Sequence, residues 1–465
     1  MSPKLCLPLL LTLAACSVGD DYARPITPAP VAWSQAKATA AGWPSADWWK
    51  GFGSAELDSY MDGAATANYD IIAAIARVRE ADAQARVAGS ALYPSLDASL
   101  GATRAQTPLE SKSATGYSSK GVVANQFTGT LTASYEIDFW GKNAAALASA
   151  EATAQGSRYD RQTLGLTVQA NVATTFFAII GLQDRITVAQ KNLAAAEEVL
   201  AAIRDRMAAG TATDLDVAQQ EAEVETERAA IPTLEQSLVQ NATALAMLVG
   251  KLPEETEVAA HPLAGLTIPE VTPGLTSALL ARRPDVLSAE QQLVGANADI
   301  TVARANFFPS IELTKDYGVE SAALHTLLKP GSVLWSAGAS VAQPIFNGGS
   351  LQGSLDYRKA RYDELVANYR KAVAQAFTDV ENALVATRKS AEEEDAQRRV
   401  ETAARRAYDI ALDQLKGGIV DITTVLNTQK TLFQAEDSLV QARLAHLQAV
   451  VGLYKALGGG WDGKA

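Results

Sequence analysis

Asp214 and Asp216, two residues apart and just after Gly210, are the nearest the sequence comes to an acid and base pair. General acid–base catalysis needs two such groups held in a cleft at shifted pKa values. A Gly-containing turn opening a helix is instead the ordinary place for exposed Asp. Cys6 and Cys16 are the only cysteines, and His261, His325 and His446 lie far apart. That leaves no Cys/His set for zinc, no Cys-His nucleophile and no disulfide framework. Gly458 and Gly463-Lys464 have the outline of a phosphate loop, but Ala465 stands where Ser or Thr should follow. The inventory predicts no enzyme, no cofactor and no metal.

The elements around these residues must therefore do something other than hold reacting groups. The chain has 465 residues, 48% hydrophobic and 20% charged, with 40 Lys+Arg against 52 Asp+Glu and a net charge of −12. That balance suits a folded protein and excludes the basic surface a nucleic-acid binder needs. Mean hydropathy is near zero. After residue 15 no stretch of about 18 residues reads as apolar enough for a spanning helix.

Lys4 is followed by the apolar run Leu5 to Leu13 and by Ala14-Ala15-Cys16, a short export segment with small residues before its cleavage point. Leu13-Ala14-Ala15-Cys16 resembles the bacterial lipoprotein cleavage box, which implies that Cys16 becomes a lipidated N-terminus. Cleavage removes Cys6 and acylation consumes Cys16, leaving no thiol in an oxidising compartment. Ser17 rather than Asp after the cysteine resembles the outer-membrane sorting signal.

The remainder is written twice. Asn68-Tyr69-Asp70 through Tyr93-Pro94-Ser95-Leu96 is answered 215 positions later by Arg283-Pro284-Asp285 through Phe308-Pro309-Ser310-Ile311. Phe139-Trp140-Gly141 is answered by Phe346-Asn347-Gly348, and Gly210 by Gly418. Two tandem repeats are expected. The chain divides into a signal peptide (1–15), a lipid-anchored extended segment (16–60), a first repeat (61–250), a Pro-rich linker (251–275) and a second repeat (276–465). Strands are predicted at about 92–104, 126–139, 308–320 and 333–346. Long helices are predicted at 142–209, 213–249, 349–416 and 421–457.

The strands alternate with period two. In 127–139, Phe127, Leu131, Ala133, Tyr135, Ile137 and Phe139 take the odd places and Thr, Ser and acidic residues the even ones. Each strand is long enough to cross a bilayer when tilted. Alternation alone also suits a sheet covering a soluble core. Two details favour a membrane barrel. Tyr93, Phe139-Trp140, Phe307-Phe308 and Phe346 gather at the helix-adjoining strand ends, as an interfacial belt would. Asp97, Glu136, Asp138, Glu312, Asp316 and Glu320 all fall on the polar face, which predicts an acidic lumen. Lys315 falls on the apolar face and would need a bulge to leave it.

No proline interrupts 142–209 or 349–416, so each helix could reach about 100 Å at 1.5 Å per residue. The return helices carry heptad ladders, Val217, Val224, Ile231, Leu238 and Leu245 in one and Leu426, Phe433, Val440, Leu447 and Tyr454 in the other. Such seams specify antiparallel coiled coils. Four strands cannot close a barrel, and open edges are not tolerated in lipid, so several chains must contribute to one barrel.

Cys16-Ser17-Val18-Gly19 with Tyr22 and Pro25, the two aromatic-Pro-Ser strand starts, Ala209-Gly210 to Gln219 and Gly417-Gly418 to Leu426 resemble the TolC/OprM family of outer-membrane efflux channels, in its lipoprotein (NodT-type) branch. The resemblance spans the whole mature chain. It implies an α+β membrane protein, a homotrimer whose four strands per chain form one twelve-stranded β-barrel in the outer membrane, with twelve helices as a periplasmic coiled-coil tunnel. It also implies a passive exit duct for drugs or other small toxic compounds. The partners would be a periplasmic adaptor and a proton-driven inner-membrane transporter of the resistance-nodulation-division type. By the same resemblance the hairpin tips at Gly210, Thr211, Gly418 and Ile419 contact the adaptor, and a gate lies just past the second tip, at Asp421, Thr423, Thr424 and Asn427. The family places acidic ring residues at positions where this chain has Thr424 and Asn427. Two other classes compete: a periplasmic coiled-coil adaptor or structural lipoprotein, which has no use for bilayer-length strands, and a lipid-anchored hydrolase, which would have to use Asp214 and Asp216.

Overall fold

The computed structural model describes residues 18–27, 32–34, 43–106, 112–113, 116–117, 123–255, 258–271, 276–459 and 461. The expected signal peptide and Cys16 lie outside the described residues, as do Gly463 and Lys464.

The order of elements is α1 (Ala55–Ala67), α2 (Tyr69–Ser90), β1 (Ser95–Gln106), a short hairpin β2 (Lys112–Ser113) and β3 (Gly116–Tyr117), β4 (Val123–Glu136), α3 (Lys142–Ala208), α4 (Asp214–Leu248), α5 (Thr276–Leu279), α6 (Pro284–Ala305), β5 (Ser310–Ser321), β6 (Val333–Ala342), α7 (Ser350–Lys416) and α8 (Ile422–Ala456). The helices match in pairs: α2 and α6 have 22 residues each, α3 and α7 have 67, and α4 and α8 have 35. Compact packing nonetheless cuts across the two sequence halves. One unit takes residues up to Pro25 with Arg79–Gly156 and Ala289–Asn368, and the second takes Ile26–Val78, Ser157–Ser288 and Tyr369–Ala465.

The first unit is built on a four-stranded antiparallel sheet in the order β1-β4-β5-β6. Strand bounds differ from the sequence expectation where proline and tight turns intervene. β1 and β5 begin only after Pro94 and Pro309, which have no N–H to give a ladder. β6 ends at Ala342, two residues before Pro344. β4 ends at Glu136 because Phe139 N bonds back to Ile137 O at 2.8 Å and turns the chain toward α3. Described residues 18–24 lie along α6, where Arg24 forms a bidentate pair with Glu290 (2.6 and 2.6 Å) and Arg304 pairs with Asp20 at 2.7 Å.

The second unit is helical. Phe52, Phe176, Phe177, Ile179, Ile180 and Leu447 are buried in its main core, with Trp48 stacked on Tyr454 at 4.8 Å. This region corrects one expectation: α3 does contain an 18-residue window of mean hydropathy 1.5, apolar enough to cross a membrane. More than half of that window is buried inside the protein, at 56%, which gives its apolar residues a core to serve. The segment expected to stay extended to residue 60 turns helical at Ala55, where the Ser54 hydroxyl accepts from Leu57 N at 3.2 Å and caps α1. A second core near the helix tips draws Leu200 from α3, Val224 from α4, Tyr408 from α7, and Leu432 and Phe433 from α8.

Candidate functional site

The polar face of the sheet is organised in rows set by the strand register. Asp97, Thr132, Asp316 and Ser336 stand opposite one another across all four strands. Thr132 Oγ1 and Ser336 Oγ donate to the two carboxylate oxygens of Asp316, each at 2.8 Å. Glu136 faces Glu312 one row pair away and takes Lys142 Nζ at 2.5 Å. Gln126 Nε2 donates to Glu320 at 2.9 Å. Five of the six predicted lumen acids therefore share one face.

Asp138 is a correction. It lies beyond the end of β4, where its two oxygens accept from Asn143 N (3.0 Å) and Ala144 N (2.7 Å) and cap the start of α3. A carboxylate there complements the unpaired N–H groups and the helix dipole. The apolar alternation continues through Ile137 and Phe139 in the sequence, which hides the turn. Lys315 is settled by the register: Ala133, Lys315 and Ala337 pair without a bulge, so the lysine stays on the apolar face. Flanking alanines leave room for a long stem to carry the ammonium toward a polar boundary.

The opposite face of the sheet is apolar and open, with Leu100 91% and Trp335 72% exposed. At its helix-adjoining end Trp140 stacks on Phe308 at 4.7 Å and donates Nε1–H to Pro309 O at 2.8 Å. An amphipathic ring with its apolar body packed and its N–H bonded suits a membrane boundary.

In the helical unit the two hairpin tips are built alike. Gly210 (φ 76°) and Gly418 (φ 70°) adopt the left-handed conformation that ends α3 and α7. Thr211 N bonds Arg206 O at 2.9 Å and Ile419 N bonds Gln414 O at 2.9 Å, completing Schellman caps. Arg206 Nη1 donates to Leu415 O at 3.0 Å and sets the tips at one level. The two return helices start differently. Thr213 and Asp216 form a capping box on α4, while on α8 Asp421 accepts from both the backbone N (2.9 Å) and the hydroxyl (2.7 Å) of Thr424. The Thr424 bonds hold the Asp421 carboxyl below the usual carboxylate range. The structure thus joins Asp421 with Thr424, while Thr423 and Asn427 stand exposed on the same helix start without joining that pair. Asp216, half of the nearest approach to an acid and base pair, is taken up in the capping box.

Sequence reading missed three groups. Glu394 of α7 is 6% exposed and accepts from Arg398, Arg443 and His446 at 2.8, 2.9 and 2.8 Å. Burial opposes its ionisation, but the His446 and Arg443 bonds outweigh it and hold the carboxyl below its ordinary range. Arg283 is bound by Asp285 (2.6 Å) and Asp379 (2.9 Å) and donates to Ala456 O at 3.2 Å. Glu227 lines a cavity of about 460 Å³ with Glu223, Lys430 and Asp437 between α3, α4 and α8. Burial, reinforced by Glu223, Asp437 and Glu436, pushes its carboxyl up to about 7. The alternation Glu221-Ala-Glu223-Val-Glu225-Thr-Glu227 was the available signal, because on a helix it sets Glu223 and Glu227 four residues apart on one face as a like-charge pair.

A sheet apolar on one side and acidic on the other, together with long capped hairpins, is an architecture suited to a membrane conduit. The chain belongs to the outer membrane efflux protein family, which it matches over residues 61–251 and 275–459. It is an outer-membrane efflux component and not an enzyme. It is 42% identical to the pyoverdine export outer membrane protein OpmQ of Pseudomonas aeruginosa over 448 residues, covering 94% of each chain. It is 34% identical to the toluene efflux pump outer membrane protein TtgF of Pseudomonas putida, covering 98% of this chain and 97% of that one. The Campylobacter jejuni CmeC outer membrane channel superposes with a TM-score of 0.90 at 25% identity, covering 97% of this chain and 96% of CmeC.

Proposed function

We propose that three copies of the chain form the exit duct of a tripartite efflux system. The observation that carries this reading is the sheet itself: β1 and β6 are edge strands, and the sheet's exposed apolar face suits lipid. Unpaired edges are unstable in hydrocarbon, and pairing β6 of one copy with β1 of the next removes them, giving twelve strands in a closed barrel. The equal lengths of α2/α6, α3/α7 and α4/α8 support two tandem repeats within each copy. Twelve long helices then make the periplasmic tunnel.

Cys16 carries the lipid and holds the N-terminus at the outer membrane. The tips at Gly210, Thr211, Gly418 and Ile419 meet a periplasmic adaptor linked to a proton-driven inner-membrane transporter. Asp421, Thr423, Thr424 and Asn427, repeated by threefold symmetry, narrow the periplasmic end. The carboxylates Asp97, Glu136, Glu312, Asp316 and Glu320 line the lumen. The relatives' named cargoes, pyoverdine and toluene, support small organic molecules as the compounds conducted. Energy comes from the transporter, since the duct has no chemistry of its own. Purified protein added to a planar bilayer should give discrete conducting steps; a preparation that inserts without conducting would contradict the reading.

A further inference from the structure

The cavity of about 460 Å³ between α3, α4 and α8 lies within a single copy, and its lining divides by chemistry. Val188 and Ala189 of α3, Ala230 and Leu234 of α4 and Phe433 of α8 make an apolar side. Glu223, Glu227 and Asp437 make an acidic one. Arg185 of α3 is already bonded to Asp437 at 2.6 Å, but the side chains of Glu223 and Glu227 have no hydrogen bond or ion pair among the described residues. Lys430 also lines the space, yet the charges acting on Glu227 are Glu223 of its own helix and Glu436 and Asp437 of α8, all of them negative. Glu436 is itself paired with Arg405 of α7.

The third unmet group is an amide. Asn192 of α3 is 5% exposed and stands on the cavity wall, and its carboxamide has no hydrogen-bond partner among the described residues. Buried amides are nearly always bonded, because an unpaired one gives up its hydration for nothing in return. Two unpaired carboxylates and an unpaired amide oxygen around one space call for a positive charge that carries several N–H groups. A metal ion suits the place poorly, since the described residues hold no metal-ligand grouping and one side of the cavity is hydrocarbon. An ammonium ion on a hydrocarbon body suits both sides: its charged N–H groups make the stronger class of hydrogen bond to carboxylates, and its body covers apolar surface. The volume falls in the range of about 300–1,000 Å³ typical of pockets for small organic ligands.

We propose that this cavity is a binding site for a small organic ammonium ion, with its N–H groups on Glu227, Glu223 and Asn192 and its hydrocarbon body against Leu234 and Phe433. A ligand there touches α3, α4 and α8 at once and ties the three helices together, so it stabilises the folded chain by mass action. Every group involved belongs to one copy, and the site therefore does not rest on the oligomer or on conduction.

The test is calorimetric titration of the full-length protein in detergent at pH 8 with 2-phenylethylammonium as the probe. Saturable binding of one probe per chain is expected, and 2-phenylethanol, of similar shape without the charge, should bind about tenfold more weakly or worse. Glu227→Gln should weaken the probe by a similar factor, while Glu225→Gln, outside the cavity, leaves it unchanged. Ala230→Trp fills the space but keeps every carboxylate, and should abolish saturable binding in a protein that still unfolds cooperatively. Because the probe needs Glu227 ionised beside Glu223, Glu436 and Asp437, its affinity should fall about tenfold or more between pH 8 and pH 5. No saturable binding, binding that 2-phenylethanol matches, or binding that survives Ala230→Trp overturns the site. A chain that binds the probe as described yet is monomeric in detergent supports the site and contradicts the oligomer.

Discussion

Glu394 on α7 and Arg443 on α8 form an ion pair at 2.9 Å, and the same guanidinium donates to the carbonyls of Leu263 (2.9 Å) and Leu266 (3.0 Å). One buried pair thus fastens two long helices to the segment that joins the sequence halves. Glu394→Ala would leave Arg443 buried without its counter-charge and His446 without its hydrogen-bond partner, and should lower unfolding stability by about 3 kcal/mol in a denaturant titration. Because the folded-state carboxyl is held below its ordinary value, its contribution is complete above the carboxylate range and is lost as pH falls through it. The gap between wild type and variant should therefore narrow on acidification.

Glu227 has the opposite sign. Its carboxyl titrates near 7 against an ordinary value of 4.5, so the fold favours its protonated form. That preference stabilises below the ordinary value and is lost as pH rises through about 7. Glu227→Gln should match wild type in thermal unfolding at about pH 5 and exceed it at pH 8, where ionisation sets Glu227 against Glu223, Glu436 and Asp437. Equal shifts at both pH values would show that the charge cluster plays no part.

For the periplasmic end, Asp421→Ala combined with Asn427→Ala should raise single-channel conductance while the oligomer persists. The Asp421 bonds to Thr424 cap a helix, so the double variant also loses about 1 kcal/mol of local helix stability. Unchanged conductance, with substitutions elsewhere near the tips opening the pore, would move the constriction away from this turn.

The rows that put Asp97 and Asp316 on either side of Thr132, and Glu136 beside Glu312, concentrate negative charge on the polar face of the sheet. Reversal potentials under a salt gradient should show cation preference, weakened by Asp97→Asn with Asp316→Asn. Anion preference in the wild type would be incompatible with that face lining the pore.

Much of this was legible in the sequence because periodicity is set by backbone geometry. Period two named Phe127 to Tyr135 as one face of β4, and heptads named Val224, Phe433 and Leu447 as buried. Glycine at Gly210 and Gly418 marked the tips because a left-handed cap needs it. What stayed hidden depends on tertiary neighbours. Asp138 looks like a strand residue until the turn at Phe139 makes it a cap. Glu227 looks like an ordinary surface acid until α8 brings Glu436 and Asp437 beside it, and Glu394 gives no local sign that Arg443 and His446, some fifty residues on, will bury it.

On the proposed assembly the conducting particle holds three chains. Native mass measurement of the purified protein in detergent, with circular dichroism on the same sample, decides it. A particle of three chains retaining its strand signal is the predicted result. A stable monomer with full strand content would contradict it, because a lone four-stranded sheet would then keep β1 and β6 unpaired in an apolar medium.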